Sequence, residues 1–135
     1  MAGYSATPLW KKLGYANGTR AWVIGAPGHY SKILTLPADV KVTWRKSSEP
    51  GIAFVHVFAS ESAVLQKQLA SLRWEIAAAG VVWVSWPKKA SGVPTDITED
   101  IIRKVALPLG FVDIKVCAVD DTWSGLKLMI RKTER

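Results

Sequence analysis

The chain has 135 residues, 49% of them hydrophobic and 21% charged, with a formal net charge of +7. That length suits one domain, residues 1–135, with a core that needs no staples. The balance excludes a disordered chain, and a lone cysteine, Cys117, excludes a disulfide within the chain. No apolar run approaches the ~20 residues that cross a bilayer, so no membrane partner is expected. The start, Met1-Ala2-Gly3-Tyr4-Ser5, does not read as a signal peptide, which makes the cytoplasm the expected location. The positive charge suits an anionic partner, either a nucleotide-like small molecule, an acidic protein or nucleic acid.

Residues 1–18 read as an N-terminal helical segment that packs on a sheet. Thr7 can cap a short helix there, Pro8 suits its first turn, Gly14 can end it, and Asn17-Gly18 marks a turn. Arg20 to Gly25 is a short strand that breaks at Gly25-Ala26-Pro27-Gly28, and a short helix follows through Ile33 and Leu34. Val40 to Trp44 alternates and is predicted as the second strand. Ile52 to Phe58 is nearly continuously apolar, as in a parallel strand covered on both faces.

A long helix is predicted from about Ser60 to Ala79, with Leu65, Leu69, Leu72 and Ile76 on one face and Gly80 after it. Val81 to Trp86 is a fourth strand, and Pro87 to Thr95 a loop. Ile97, Ile101, Val105 and Leu109 mark a second amphipathic helix capped by Thr95 or Thr98. Val112 to Val119 and Leu126 to Arg131 are predicted to close the chain as an antiparallel hairpin. Trp22, Trp74 and Trp83 are expected in or near the core, and Trp10, Trp44, Trp86 and Trp123 beside loops.

Strands alternating with helices imply right-handed crossovers and a sheet covered on both faces. The expected fold is therefore α/β: a three-layer, mostly parallel Rossmann-like sheet of about six strands ending in an antiparallel hairpin. This order resembles a class I methyltransferase fold truncated by one βα unit after the second strand. That resemblance implies that the Arg20 strand lies between the Val40 and Ile52 strands, with the Val81 strand beyond Ile52 and the hairpin at the far edge. A second resemblance rests on strings. Thr7-Pro8-Leu9 after Tyr4-Ser5, Val84-Ser85-Trp86-Pro87-Lys88-Lys89 and Thr122-Trp123-Ser124-Gly125-Leu126-Lys127 are similar to an uncharacterised bacterial family, common in actinobacteria and defined only as a domain of unknown function. It implies no activity.

Ligands of such sheets gather at the carboxyl ends of the strands. A dinucleotide turn wants Gly-x-Gly-x-x-Gly, whereas the first turn here is Gly25-Ala26-Pro27-Gly28-His29, in which Pro27 removes an N–H. An acidic residue should meet a ribose at the end of the second strand, but Trp44-Arg45-Lys46 stands there. A guanidinium cannot accept a hydroxyl proton, though it can face a phosphate. The loop Trp86-Pro87-Lys88-Lys89-Ala90-Ser91-Gly92 offers two ammonium groups, a hydroxyl and an indole wall.

A candidate anion site therefore gathers Gly25, Gly28, His29, Arg45, Trp86, Lys88, Lys89 and Ser91. Tyr4, Ser5, Lys11 and Lys12 can fold over the same edge. His56 reads as a core residue, His29 as the better acid or base, and Asp120 and Asp121 as turn residues. No spacing suggests a metal set or a catalytic nucleophile. No cofactor is identified. The leading expectation is a non-catalytic or regulatory ligand-binding domain derived from the methyltransferase fold. The alternatives are a small nucleotide- or S-adenosylmethionine-dependent enzyme with an atypical pocket, and a nucleic-acid-binding protein.

Overall fold

A computed structural model describes residues 7–135. Its strands are β1 (Arg20–Ile24), β2 (Thr43–Arg45), β3 (Ile52–Phe58), β4 (Ile76–Pro87), β5 (Phe111–Ala118) and β6 (Trp123–Ile130). Its helices are α1 (Leu9–Leu13), α2 (Tyr30–Leu34), α3 (Ser62–Glu75) and α4 (Glu99–Ala106). One sheet runs β2-β1-β3-β4-β6-β5. The first four strands are mutually parallel, and β6 inserts antiparallel between β4 and β5. This is the expected order, with β1 between β2 and β3 and the hairpin at the far edge.

The sheet divides the core in two. On one face Val55, Val57, Val82, Val84, Leu126 and Leu128 meet Leu65, Leu69 and Leu72 of α3 and Ile102 of α4. On the other, Ala21, Phe54, Phe58 and Trp83 meet Leu9 and Leu13 of α1 and Tyr30 and Leu34 of α2. Trp83 is buried and gives its indole N–H to the Leu13 carbonyl at 2.7 Å, which fastens α1 to the centre of the sheet. Trp74, expected near the core, is instead 80% exposed, because it lies opposite the Leu65-Leu69-Leu72 face of α3.

Two boundaries differ from the expected ones. β2 is three residues long and starts at Thr43. The backbone before it is drawn into the Asn17-Gly18 turn: Lys41 N–H donates to Asn17 Oδ1 and Gly18 N–H donates to the Lys41 carbonyl. Helix α3 ends at Glu75 although alanines follow it. Ile76 turns extended and pairs in register with Ile52, and the ladder resumes at Phe54 and Val81, so residues 77–80 form a bulge. Burial of Ile76 against the sheet thus overrides the helix propensity of the alanines.

Thr98 is the cap of α4, its hydroxyl oxygen accepting the Ile101 N–H at 3.2 Å. Thr95 instead donates to the Ser60 carbonyl and accepts from Ile97 N–H, locking the approach to the helix. The start of α3 is held from outside itself: Asp96 accepts both the Ser62 N–H (2.8 Å) and the Ser62 hydroxyl (2.6 Å). Among the described residues no helix is long and apolar enough to cross a membrane.

Candidate functional site at the carboxyl edge

The chain leaves β1 for β2 on one side and returns to β3 on the other, so the carboxyl ends of β1 and β3 form the switch point of the sheet. The turn there is shaped by Gly25. Its φ is +70°, and a Cβ on it would stand 2.8 Å from the Phe58 carbonyl oxygen. Close approach of the two strand ends therefore requires the glycine. Gly28, by contrast, faces open space, with nothing within 4 Å of its would-be Cβ.

His29 follows, and its Nε2 lies 2.8 Å from Asp120 Oδ2. Asp120 also accepts the N–H groups of Thr122 and Trp123, so one carboxylate shapes the β5–β6 turn and reaches across the edge to the β1 turn. Partial burial pushes the Asp120 carboxyl up, but the hydrogen bonds from His29, Trp123 and Thr122 outweigh it and hold the group below the usual carboxylate range. The same hairpin tip takes the Lys88 N–H on the Thr122 carbonyl at 2.7 Å. Trp123 meets Phe58 edge to face at 5.1 Å. By the strand order, this strap crosses the carboxyl ends of β3 and β4.

A cavity of about 620 Å³ opens beside the strap, on the α4 side, bounded chiefly by Trp86, Pro87, Lys89, Thr95, Ile97 and Thr98. Its polar groups are mostly spoken for. Thr95 uses its donor and its acceptor within the fold, and the Glu99 carboxylate on the rim is bonded to Arg103 at 2.6 Å. Among the side chains left, the Lys89 ammonium and the Thr98 hydroxyl proton are the donors, beside the indole wall of Trp86.

The structure brings together Gly25, Gly28 and His29 with Lys88, Lys89 and Trp86 along one edge, but in two parts. His29 already faces the carboxylate of Asp120, a negative charge not anticipated between the two loops. Ser91 turns its hydroxyl inward to the Lys88 carbonyl and accepts the Val93 N–H. Arg45 does not join them. It pairs in register with Trp22, three residues before Gly25, about 10 Å along the strand at ~3.3 Å per residue. Its Nε lies 2.9 Å from Glu49, which also holds Arg20. Tyr4 and Ser5 lie outside the described residues, and α1 with Lys11 and Lys12 packs on the face of the sheet.

Sequence reasoning missed a buried hydrogen-bonded chain. Tyr15 Oη is 2.6 Å from Tyr30 Oη, which is 2.8 Å from His56 Nδ1, and His56 Nε2 is 2.7 Å from Ser85 Oγ. The apolar run of β3 around it identified His56 as a core residue, but its partners come from α2 and β4. His56 and Ser85 have no exposed surface, so this serine–histidine contact meets no substrate. Burial lowers the imidazole to a pKa of about 3, keeping it neutral, and raises both tyrosines. Among the described residues no three His, Cys, Asp or Glu side chains gather where a metal ion could sit.

Solved structures similar to the chain include methyltransferases. It matches a SAM-dependent methyltransferase from Aquifex aeolicus with a TM-score of 0.62 at 15% identity, covering 89% of this chain and 86% of that one. A TehB-like SAM-dependent methyltransferase from Corynebacterium glutamicum matches with a TM-score of 0.56 at 11% identity, covering 96% and 90%. An O-methyltransferase from neocarzinostatin biosynthesis, solved with S-adenosylmethionine, matches with a TM-score of 0.64 at 12% identity, this chain covering half of it (50%) and 90% of itself. No family model and no curated protein matches the chain. The chain thus has the methyltransferase-like Rossmann fold in truncated form.

The residues at the edge do not fit the nucleoside of S-adenosylmethionine. A ribose diol needs an acceptor at the end of β2, and the carboxylate nearest that strand, Glu49, is taken by Arg45 and Arg20. The close packing of Gly25 on Phe58 accounts for that glycine without a ligand.

Proposed function

We propose that this protein is a small-molecule-binding domain on a methyltransferase-like scaffold, taking an anionic ligand at the carboxyl edge of its sheet without acting on it. The observation that carries this reading is the pair of side-chain donors in the edge cavity: the Lys89 ammonium and the Thr98 hydroxyl proton beside the Trp86 wall, with the Glu99 charge on the rim paired to Arg103 and Thr95 bonded within the fold. Lys88 stands next to it, its backbone pinned to the hairpin tip. An ammonium, a hydroxyl and an indole suit a phosphate or carboxylate attached to a flat apolar group. Anchoring of the loop by the fold keeps these groups in place before a ligand arrives.

A second reading, methyl transfer from S-adenosylmethionine, is favoured by the fold itself, since the matched structures include one solved with that compound. Calorimetry separates the two. Phosphate, NADP, S-adenosylmethionine and its demethylated product are titrated into the wild type and into Lys88→Ala/Lys89→Ala. The binding reading expects micromolar affinity for at least one phosphate-bearing ligand, weakened about tenfold or more in the double variant. The variant's melting temperature should stay within a degree or two of wild type, because exposed charges contribute little to stability. Heat with S-adenosylmethionine alone, unchanged by the double variant, moves the conclusion to methyl transfer. No heat with any of the four refutes both.

A further inference from the structure

The sheet face that carries α1 gathers lysines without acids. Lys127 of β6 stands directly opposite Trp83 of β4, which packs with Leu9 and Leu13 of α1, so Lys127 lies on that face. Lys115 of β5 stands directly opposite Lys127, and its Nζ is 6.0 Å from the centroid of the Trp83 ring. Lys12, in the last turn of α1, joins them. Burial raises the Cys117 thiol, and the charges of Lys12 and Lys115 both oppose that rise, so the two lysines flank one thiol. None of the three lysines has an ion pair among the described residues. No Asp or Glu precedes Asp39 in the chain, β6 has none, and the one acid of β5, Asp113, turns to Arg103 of α4 on the other face. Like charges directly opposite in an antiparallel pair destabilise it, so this sheet holds an unfavourable pair that a bound anion would relieve.

We propose that this face binds the phosphodiester backbone of a nucleic-acid single strand, with Lys12, Lys115 and Lys127 on the phosphates. This is a second surface, since the small-molecule cavity opens on the α4 side of the sheet. Neighbouring strands lie ~4.8 Å apart, so Lys115 and Lys127 root two positive charges within one strand spacing. An acidic peptide strand presents carboxylates to one face only at every second residue, ~6.6 Å apart. A stacked nucleic-acid strand offers a phosphate every ~3.4 Å of rise and is the denser match. Beside these lysines, Lys11 Nζ lies 5.5 Å from the centroid of the half-buried Trp10 ring. An indole set among ammonium groups is the arrangement on which unpaired bases stack, which favours a single strand.

The test is fluorescence anisotropy of the full chain with a labelled single-stranded oligo(dT), from about 50 to about 200 mM salt, with circular dichroism confirming that each variant is folded. The wild type should bind with an affinity that falls linearly with salt on logarithmic axes. Lys115→Gln/Lys127→Gln should make that slope shallower by about 1.4, from two phosphates at about 0.7 each, and Lys115→Arg/Lys127→Arg should keep it. Lys67→Gln/Lys104→Gln removes the same charge from α3 and α4 and should leave the slope at its wild-type value. No association at about 50 mM salt overturns the proposal. So does an equal loss of slope in the two glutamine variants, which would make the effect one of net charge. Polyglutamate that displaces the oligonucleotide at matched charge overturns it too, and reassigns the face to an acidic protein.

Discussion

Gly25 shows how one residue sets the edge. Its positive φ and its 2.8 Å would-be Cβ contact are made with backbone, the Phe58 carbonyl, which cannot swing aside as a side chain would. Gly25→Ala should therefore cost about 2 kcal/mol or more, from left-handed strain plus a forced strand shift, read as a drop in the unfolding midpoint. Gly28→Ala, in open space, should cost under about 1 kcal/mol, and equal costs at the two positions would contradict this account. The sequence identified the turn but could not say which glycine the fold demands, because the demand comes from Phe58, thirty-three positions away. Lys88 and Lys89 were legible as loop cations. Arg45 was misplaced because β2 ends level with Trp22, three residues short of Gly25, and Glu49 holds the guanidinium there.

Elements are tied together by polar contacts that no local pattern records. The Tyr15–Tyr30–His56–Ser85 chain links the turn after α1, α2, β3 and β4. His56 is neutral in the folded protein, with a pKa of about 3 against 6.5 when unfolded. Between those values the unfolded chain binds a proton that the folded one refuses. Stability is then full above pH 6.5 and falls as the pH drops toward 3, by about 1.4 kcal/mol per unit. Denaturant unfolding across this range should show that slope in wild type. His56→Gln, which does not titrate, should be less stable at neutral pH but lose the slope above the carboxylate range, between about pH 4.5 and 6.5, and an unchanged slope there would contradict the assignment to His56. The end of α3 was misread for the same kind of reason: residues 77–79 are alanines that favour helix, and the pairing of Ile76 with Ile52 that ends it is a tertiary event.

At the scale of the whole molecule, the strand order was legible because each crossover obeys one handedness and each buried strand announces itself by an apolar run. The position of the hairpin followed from its turn, Asp120 to Gly125, in which Asp120 caps the backbone and Gly125 admits Trp83 and Val119 to within 3.3 Å of its would-be Cβ. What could not be read was how the edge divides into a strap holding His29 to Asp120 and a cavity with Lys89 free, since that depends on which charges meet across the fold. The net charge of +7 is spread over the surface rather than gathered there, so the account rests on a few placed groups. Backbone amide chemical shifts followed during titration with a phosphate-bearing nucleotide test it most directly. The account predicts that the shifts cluster on residues 86–98, with weaker changes at the Gly25–His29 turn. Shifts centred on the opposite, amino edge around Arg20 and Glu49, or spread evenly over the surface lysines, would contradict it.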